Sequence, residues 1–240
     1  MAWKWYNSKV IDIKDASPTT KRFWVEVEET VEFIPGQFVT MDLPISDKRL
    51  KRWRSYSIVN DPNGSNILEF CIVNLEGGAA SKYFFEEVDI HTPIKFKGPS
   101  GTFTLPKEIT EDLVMICTGT GVAPYRSMIQ YLVNNSDIPH KNIHLIFGTR
   151  YEDGILYREE FENLALENKW FSYDVVLSRD KEWKGFKGYV HDVYMKKYTN
   201  NVTGKRFYLC GWTHMIDEAV ANLLLKMKVE KPYILYELYG

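Results

Sequence analysis

The 240-residue chain is poor in cysteine, with three, and its formal charge is only −2. Cys71, Cys117 and Cys210 cannot pair into a disulfide framework, and no two are close enough in sequence for a Cys-x-x-Cys site. A four-thiolate iron–sulfur cluster cannot be built within the chain. Histidine is scarce too, at five. His140 and His144 are four apart, but Pro139 and the apolar run after them mark a loop entering a strand rather than a helical ligand pair, so no metal site is expected. A basic excess is missing: 13 Lys and Arg stand against 14 Asp and Glu up to Pro106, and 17 against 18 beyond it. Neither part has the cationic surplus that neutralises a nucleic-acid backbone. No window approaches the roughly 18 consecutive apolar residues of a membrane span, and MAWKWYNSKVID has no signal-peptide core. The expectation is a cytoplasmic protein in a reducing compartment.

What is present is an ordinary globular balance, 45% apolar and 26% charged, enough to bury a real core. At roughly 150 residues per domain the length suggests two domains. Aromatic content is high at 15%, so a flat ligand could find rings to lie on, although most will be core.

The pattern changes once along the chain. Up to about residue 106 it is strand-like, with alternation in Lys21 to Glu28, Gly36 to Leu43 and Ile67 to Asn74, and with breakers at Pro35-Gly36, Pro62-Asn63-Gly64 and Gly98-Pro99-Ser100-Gly101. One helix-like stretch, Ala79 to Val88, interrupts it. Many short strands and one helix predict a small antiparallel β-barrel over residues 1–106. From 107 to 240 the rhythm is strand, turn, helix. Strand signals at Leu113 to Cys117, Ile143 to Phe147, Tyr173 to Leu177 and Phe207 to Cys210 alternate with helical spacing at Val122 to Val133, Arg158 to Leu166, His191 to Lys197 and Met215 to Lys226. This predicts an α/β domain with a parallel sheet, and a ligand at the seam of the two domains.

Three motifs carry chemistry. Cys117-Thr118-Gly119-Thr120-Gly121-Val122-Ala123-Pro124 ends an apolar strand and opens a helix; its glycines admit close backbone approach and the helix start favours an anion such as a pyrophosphate. Pro124 suits a first helical turn and breaks the six-residue Gly-x-Gly-x-x-Gly pattern; a tight connection alone would also explain the glycines. In Arg54-Ser55-Tyr56-Ser57, period two puts Arg54 and Tyr56 on one face, a cation and a ring suited to a phosphate with an adjoining planar heterocycle, or simply a half-exposed strand. Glu76-Gly77-Gly78-Ala79-Ala80-Ser81 supplies a second glycine-preceded helix start with a hydroxyl donor.

In order, R-S-Y-S at 54 to 57, G-G-A-A-S at 77 to 81, G-P-S-G-T-F-T-L at 98 to 105, T-G-T-G-V-A-P-Y-R-S at 118 to 127, F-G-T-R with D-G-I-L-Y at 147 to 157, and Y-L-C-G at 208 to 211 resemble the ferredoxin–NADP reductase superfamily of flavoproteins over nearly the whole chain. The resemblance implies an N-terminal FAD-binding barrel and a C-terminal NADP(H)- or NAD(H)-binding domain, with the two rings meeting between them. By it, Arg54 takes the FAD pyrophosphate, Tyr56 stacks on the isoalloxazine and Ser57 bonds near flavin N5. Gly78, Ala80 and Ser81 form a second diphosphate clamp, and Cys71, Ile72 and Val73 run beside the FAD.

In the second domain the resemblance gives Thr118, Gly119, Thr120, Gly121 and Pro124 to the nucleotide pyrophosphate. Cys210 and Gly211 face the nicotinamide; a thiol there shapes a pocket without being a nucleophile unless its pKa is lowered. Ser178, Arg179 and Tyr189 match a 2′-phosphate and adenine site, since Arg pairs bidentately with phosphate and a phenol ring stacks, although NAD-using relatives also carry Ser-Arg. Tyr236-Glu237-Leu238-Tyr239-Gly240 resembles an ending whose Tyr covers the flavin; the extra Gly240 leaves Tyr239 as the lid, with Glu237 as a proton or nicotinamide contact, or a shift to Tyr236.

The activity implied is hydride transfer between NAD(P)H and FAD, followed by single electrons to a protein carrier such as ferredoxin or flavodoxin. The five cations within Ser46 to Arg54 could steer an acidic carrier or form a solvated loop. Alternatives are a free-flavin reductase, the reductase component of an oxygenase, and a non-catalytic FAD-binding subunit.

Overall fold

The computed structural model describes residues 4–239; Gly240, part of the C-terminal motif, lies outside the described residues. The chain divides into two compact units. The first runs to Leu105 and also takes in Ala123–Ser136; the second comprises Pro106–Val122 and the chain from Asp137 onward.

The first unit is a six-stranded antiparallel sheet in the order β4-β3-β6-β1-β2-β5, built from β1 (Trp5–Ser17), β2 (Thr20–Val27), β3 (Phe38–Asp42), β4 (Trp53–Ser57), β5 (Ile67–Val73) and β6 (Pro93–Ser100). Its ends are joined where the Val59 N–H just beyond β4 donates to the Glu69 carbonyl of β5 at 2.9 Å, so the sheet curls into a barrel. Alternate residues point inward, as the period of two requires: Phe23, Val25, Val39, Met41, Leu68, Phe70, Ile94 and Phe96 form the core. A four-residue helix α1 (Arg49–Arg52) precedes β4, and α2 (Ala79–Lys82) continues as a wider turn, Tyr83–Glu87.

Two local expectations are corrected here. Gly98-Pro99 does not interrupt the sheet but lies inside β6, where Phe38 pairs with Ser100 and Thr40 with Lys97, leaving a bulge that absorbs both residues. Ala79 to Val88 is not one α-helix: the Val88 N–H reaches back five residues to the Tyr83 carbonyl, and Tyr83 and Phe84 are both buried in the barrel core.

The second unit is a parallel sheet in the order β10-β9-β8-β7-β11-β12, from β7 (Asp112–Thr118), β8 (Ile143–Thr149), β9 (Phe171–Leu177), the short β10 (Phe186–Lys187), β11 (Lys205–Trp212) and β12 (Ile234–Tyr239). Between β7 and β8 comes α3 (Ala123–Asn134), followed in sequence by α4 (Arg158–Glu167), α5 (Val190–Tyr198) and α6 (Thr213–Ala221). The strands read as near-continuous apolar runs because they are buried on both faces. The predicted helix over Met215 to Lys226 also changes winding, at Asn222, whose side chain donates to the Tyr194 hydroxyl at 3.2 Å. His144 of β8 is a satisfied core residue, bonded to the Tyr198 hydroxyl at 2.6 Å and to Asp174 at 2.8 Å. Among the described residues no helix is long and apolar enough to cross a membrane.

Helix α3 belongs with the first unit and is held there by polar contacts. Arg126 pairs with Glu69 at 3.1 Å, Arg22 pairs with the other oxygen of the same carboxylate at 2.6 Å, Ser127 donates to the Asn60 carbonyl at 2.7 Å, and Asn134 donates to Asp61 at 2.9 Å. Glu69 is 3% exposed, so its two guanidinium partners keep a desolvated charge tolerable. Glu69→Ala should destabilise the first unit by about 3 kcal/mol, because it leaves two cations without their shared acceptor. Urea unfolding checks this, and a loss under about 0.5 kcal/mol would show the network to be dispensable.

Candidate functional site

In the first unit the candidate residues fall on three adjoining segments. On β4, Arg54 and Tyr56 share one face, opposite Met41 and Val39 of β3. The Tyr56 ring meets Phe84 edge to face at 5.5 Å, and burial raises its phenol pKa, so it is a neutral flat surface. One Arg54 nitrogen donates to the carbonyls of Trp53 (2.7 Å) and Lys51 (3.0 Å), which fixes the guanidinium fork. Ser57, at the end of β4, is buried. Cys71, Ile72 and Val73 end β5 opposite Arg22, Lys21 and Thr20.

The end of β5 is tied to the start of α2 by Ser81. Its hydroxyl accepts from the Leu75 N–H at 2.9 Å and donates to the Val73 carbonyl at 3.3 Å. That hydroxyl shapes the loop, and the Gly78 N–H already donates to the Leu75 carbonyl at 2.9 Å, so what this segment can offer an anion is the backbone N–H groups of Ala80 and Ser81 at the helix start. Phe84, immediately after α2, links this segment to Tyr56. Sequence reasoning misses Phe84, since an aromatic in a helical run carries no mark of what it supports.

In the second unit the strand order reverses between β7 and β11, and a ligand crevice forms outside the carboxyl ends of strands at such a switch point. The predicted residues converge there. Thr118 ends β7, and Gly119–Val122 form a single 3-10 turn leading into α3, with Pro124 as its second residue. Cys210 and Gly211 lie at the end of β11, Glu237 and Tyr239 at the end of β12. In register, Cys117, Cys210 and Glu237 form one row across three strands.

The fit is tight where backbones approach and open where a ligand would come. A Cβ on Gly121 would stand 2.4 Å from the Cys210 carbonyl oxygen, and one on Gly211 (φ 139°) 2.5 Å from Thr118 Oγ1. Gly119, at φ 52°, has nothing within 4 Å of the corresponding point. Thr118 Oγ1 is buried without a hydrogen-bond partner. An orphaned hydroxyl beside an open glycine and a helix start suits an oxygen-rich anion such as a pyrophosphate. The Cys210 thiol pKa is pushed well up by burial and then by the Glu237 carboxylate, against the weaker opposing effect of a hydrogen bond with Tyr239. It is therefore a neutral thiol in contact with Tyr239, and the structure brings Cys210, Glu237 and Tyr239 together. Tyr236 is on the other face of β12 and 54% exposed.

A second group gathers at the ends of β8, β9 and β10. The Ser178 N–H donates to the Thr149 carbonyl and the Arg179 N–H to the Arg150 carbonyl, each at 3.0 Å, while the Gly188 N–H donates to the Leu177 carbonyl at 3.0 Å and so brings Tyr189 beside Ser178. Arg179 and Tyr189 are exposed. Arg150, also exposed, joins them; its place in F-G-T-R does not reveal that pairing of β8 with β9 sets it next to Arg179. Among the described residues no cluster of His, Cys, Asp and Glu could hold a metal ion.

Comparison with known proteins agrees with this geometry. Residues 7–105 match the model of the oxidoreductase FAD-binding domain and residues 115–221 that of the oxidoreductase NAD-binding domain. The chain thus belongs to the ferredoxin–NADP reductase family of flavoprotein oxidoreductases. It is 32% identical to the phenol hydroxylase P5 protein of Acinetobacter pittii, over 94% of this chain and 63% of that one. It is 28% identical to ferredoxin–NADP reductase B of Sorangium cellulosum, over 88% of each. The chain spans less than two thirds of the length of the phenol hydroxylase relatives, at 63% and 65%. Among solved structures, Amycolatopsis cytochrome P450 reductase GcoB has the same fold with a TM-score of 0.88 at 23% identity, covering 98% of this chain and 70% of that one. A Neisseria gonorrhoeae ferredoxin NADP+ reductase with bound FAD and NADP gives 0.81 at 22%, covering 98% of both.

Gly121→Ala should weaken reduced-nicotinamide binding at least about tenfold while the flavin content of the purified protein stays unchanged, since the clash lies wholly in the second unit. Fluorescence titration with NADPH and NADH measures it; equal affinity in both proteins would remove the close approach from the site.

Proposed function

We propose that the chain is an NAD(P)H-dependent flavin reductase of the ferredoxin–NADP reductase kind that supplies single electrons to a protein carrier such as ferredoxin or flavodoxin. The observation that carries this reading is the convergence of the glycine turn, Cys210, Glu237 and Tyr239 at the switch point of the second unit, in a chain whose first unit presents Arg54 beside Tyr56. When bound, FAD would supply the two-electron to one-electron conversion that a nicotinamide cannot perform alone.

The residues of the chain position and exclude. Arg54, with its fork held by two carbonyls, neutralises diphosphate charge, and the neutral Tyr56 ring offers a stacking face. Ser57 would donate at the edge of a heterocycle. The backbone N–H groups at Ala80 and Ser81, and those at Gly119 to Gly121, each take an anion. Cys210 packs as a small neutral group, and Tyr239 stands beside it as the candidate lid. Ser178, Arg179 and Arg150 with Tyr189 favour the 2′-phosphate of NADP(H) over NAD(H). No strong acid or base is required, because catalysis by alignment needs only close and oriented reactants.

A second reading has its own support: relatives over most of this chain include the reductase component of phenol 2-monooxygenase and the electron transfer component of anthranilate 1,2-dioxygenase. In that case the carrier is a partner of an oxygenase. The buried cysteines, none of them in a disulfide among the described residues, fit a cytoplasmic, reducing setting for either.

Anaerobic mixing of the yellow holoprotein with NADPH and NADH side by side tests the reading, with candidate carriers added afterwards. Bleaching at 1:1 stoichiometry with faster reaction for NADPH is expected; a protein that holds flavin but is bleached by neither nucleotide is a non-catalytic subunit. Arg179→Ala should lower the NADPH-to-NADH preference about tenfold or more, the worth of one charge-assisted phosphate contact. Tyr239→Ser should raise nicotinamide occupancy and alter turnover, and unchanged affinity and rate would remove its lid role.

A further inference from the structure

One surface of the first unit is used by neither nucleotide group. Period two on β4 turns Trp53 away from Arg54 and Tyr56, and the sheet order β4-β3-β6-β1 sets it on the same outer face as Lys95 and Lys97 of β6 and Trp5 of β1. There the two indoles stand 6.0 Å apart. The Lys97 ammonium is 3.8 Å from the Trp53 ring centre, Arg49 is 4.8 Å from the same ring, and Lys95 is 5.6 Å from that of Trp5. Beside them, α1 raises Leu50, 80% exposed, between Arg49 and Lys51, with Lys48 next in the chain. Arg52 is neutralised by Asp42 at 2.8 Å, but among the described residues Lys48, Arg49, Lys51 and Lys95 have no carboxylate partner. A chain of net charge −2 has thus concentrated unpaired cations, two indoles and a bare leucine on one face.

We propose that this face binds an anionic lipid surface. Ammonium groups stacked over half-buried indoles hold charge beside apolar surface, the pairing found at the headgroup level of a bilayer. Flanking cations draw the patch to acidic headgroups, and a single projecting leucine enters the acyl boundary without needing a shaped pocket. An acidic protein would have to provide such a pocket for Leu50. The orientation also favours a resting surface over an electron-transfer contact, because Arg54 and Tyr56 lie on the opposite face of β4.

Co-sedimentation of the 240-residue chain with phosphatidylcholine vesicles, with and without phosphatidylserine, tests this. Binding should require phosphatidylserine, fall as salt is raised, and blue-shift tryptophan emission. The exposed double variant Lys48→Glu/Lys95→Glu should lose about tenfold or more in partitioning, and Leu50→Ser should lose several-fold, with unfolding temperatures close to that of the parent. No sedimentation with phosphatidylserine vesicles at low salt would overturn the proposal, as would variants that bind like the parent. Binding to polyglutamate that falls in the charge variant, with vesicle binding absent, would assign the face to an acidic polypeptide instead.

Discussion

The second unit depends on two backbones meeting where no side chain fits. Gly121, at the end of the turn after β7, approaches the carbonyl of Cys210 so closely that a single carbon would collide, and Gly211 does the same to Thr118. This contact draws the ends of β7 and β11 together at the point where the sheet changes direction, and the crevice inherits its shape from it. The cost is two glycines, one in a conformation that other residues avoid, and the return is a floor of backbone donors with Thr118 left unpartnered. Once the floor is set, the row Cys117, Cys210, Glu237 follows from strand register, and Tyr239 must stand at its rim.

The chemistry of that row is decided by burial. Cys210 sits beside a carboxylate and deep in the sheet, two effects that both disfavour a thiolate, and its hydrogen bond with Tyr239 is too weak to reverse them. A thiolate would attack or repel a nucleotide; a neutral thiol only fills space and polarises. Tyr56 in the first unit is subject to the same logic, since burial raises the pKa of its phenol and favours the neutral ring. Both units thus present uncharged groups at their candidate sites.

Much of this was legible because the signals are local. Apolar runs ending in glycine gave β7 and its turn, period two gave the shared face of Arg54 and Tyr56, and the change of rhythm near Pro106 separated antiparallel from parallel sheet. What was illegible is set by partners distant in sequence. Gly98-Pro99 reads as a breaker, yet a bulge opposite β3 keeps it inside β6. Arg126 reads as one more polar residue on a helix until Glu69, 57 residues away, is seen to be its partner. Arg150 gains meaning only from the pairing of β8 with β9. The Ser81 hydroxyl, which looks free to meet a phosphate, is occupied by Leu75 and Val73 of its own loop.

The cationic face illustrates the same limit and why charge counting is a poor guide to it. The run from Lys48 to Arg54 looks like one block, but the structure distributes it: Arg54 turns to one side of β4, Arg52 is cancelled by Asp42, and Arg49 turns over Trp53. Lys95 and Lys97, more than 40 residues later by their numbering, complete the group because β6 pairs with both β1 and β3. An ammonium stacked on an indole keeps its charge while shedding part of its water, so each stacked cation is held near an apolar surface that a free surface lysine would avoid. A near-neutral chain can therefore carry a strongly polarised face, and the strand pairing that builds the barrel also assembles that face on its outside.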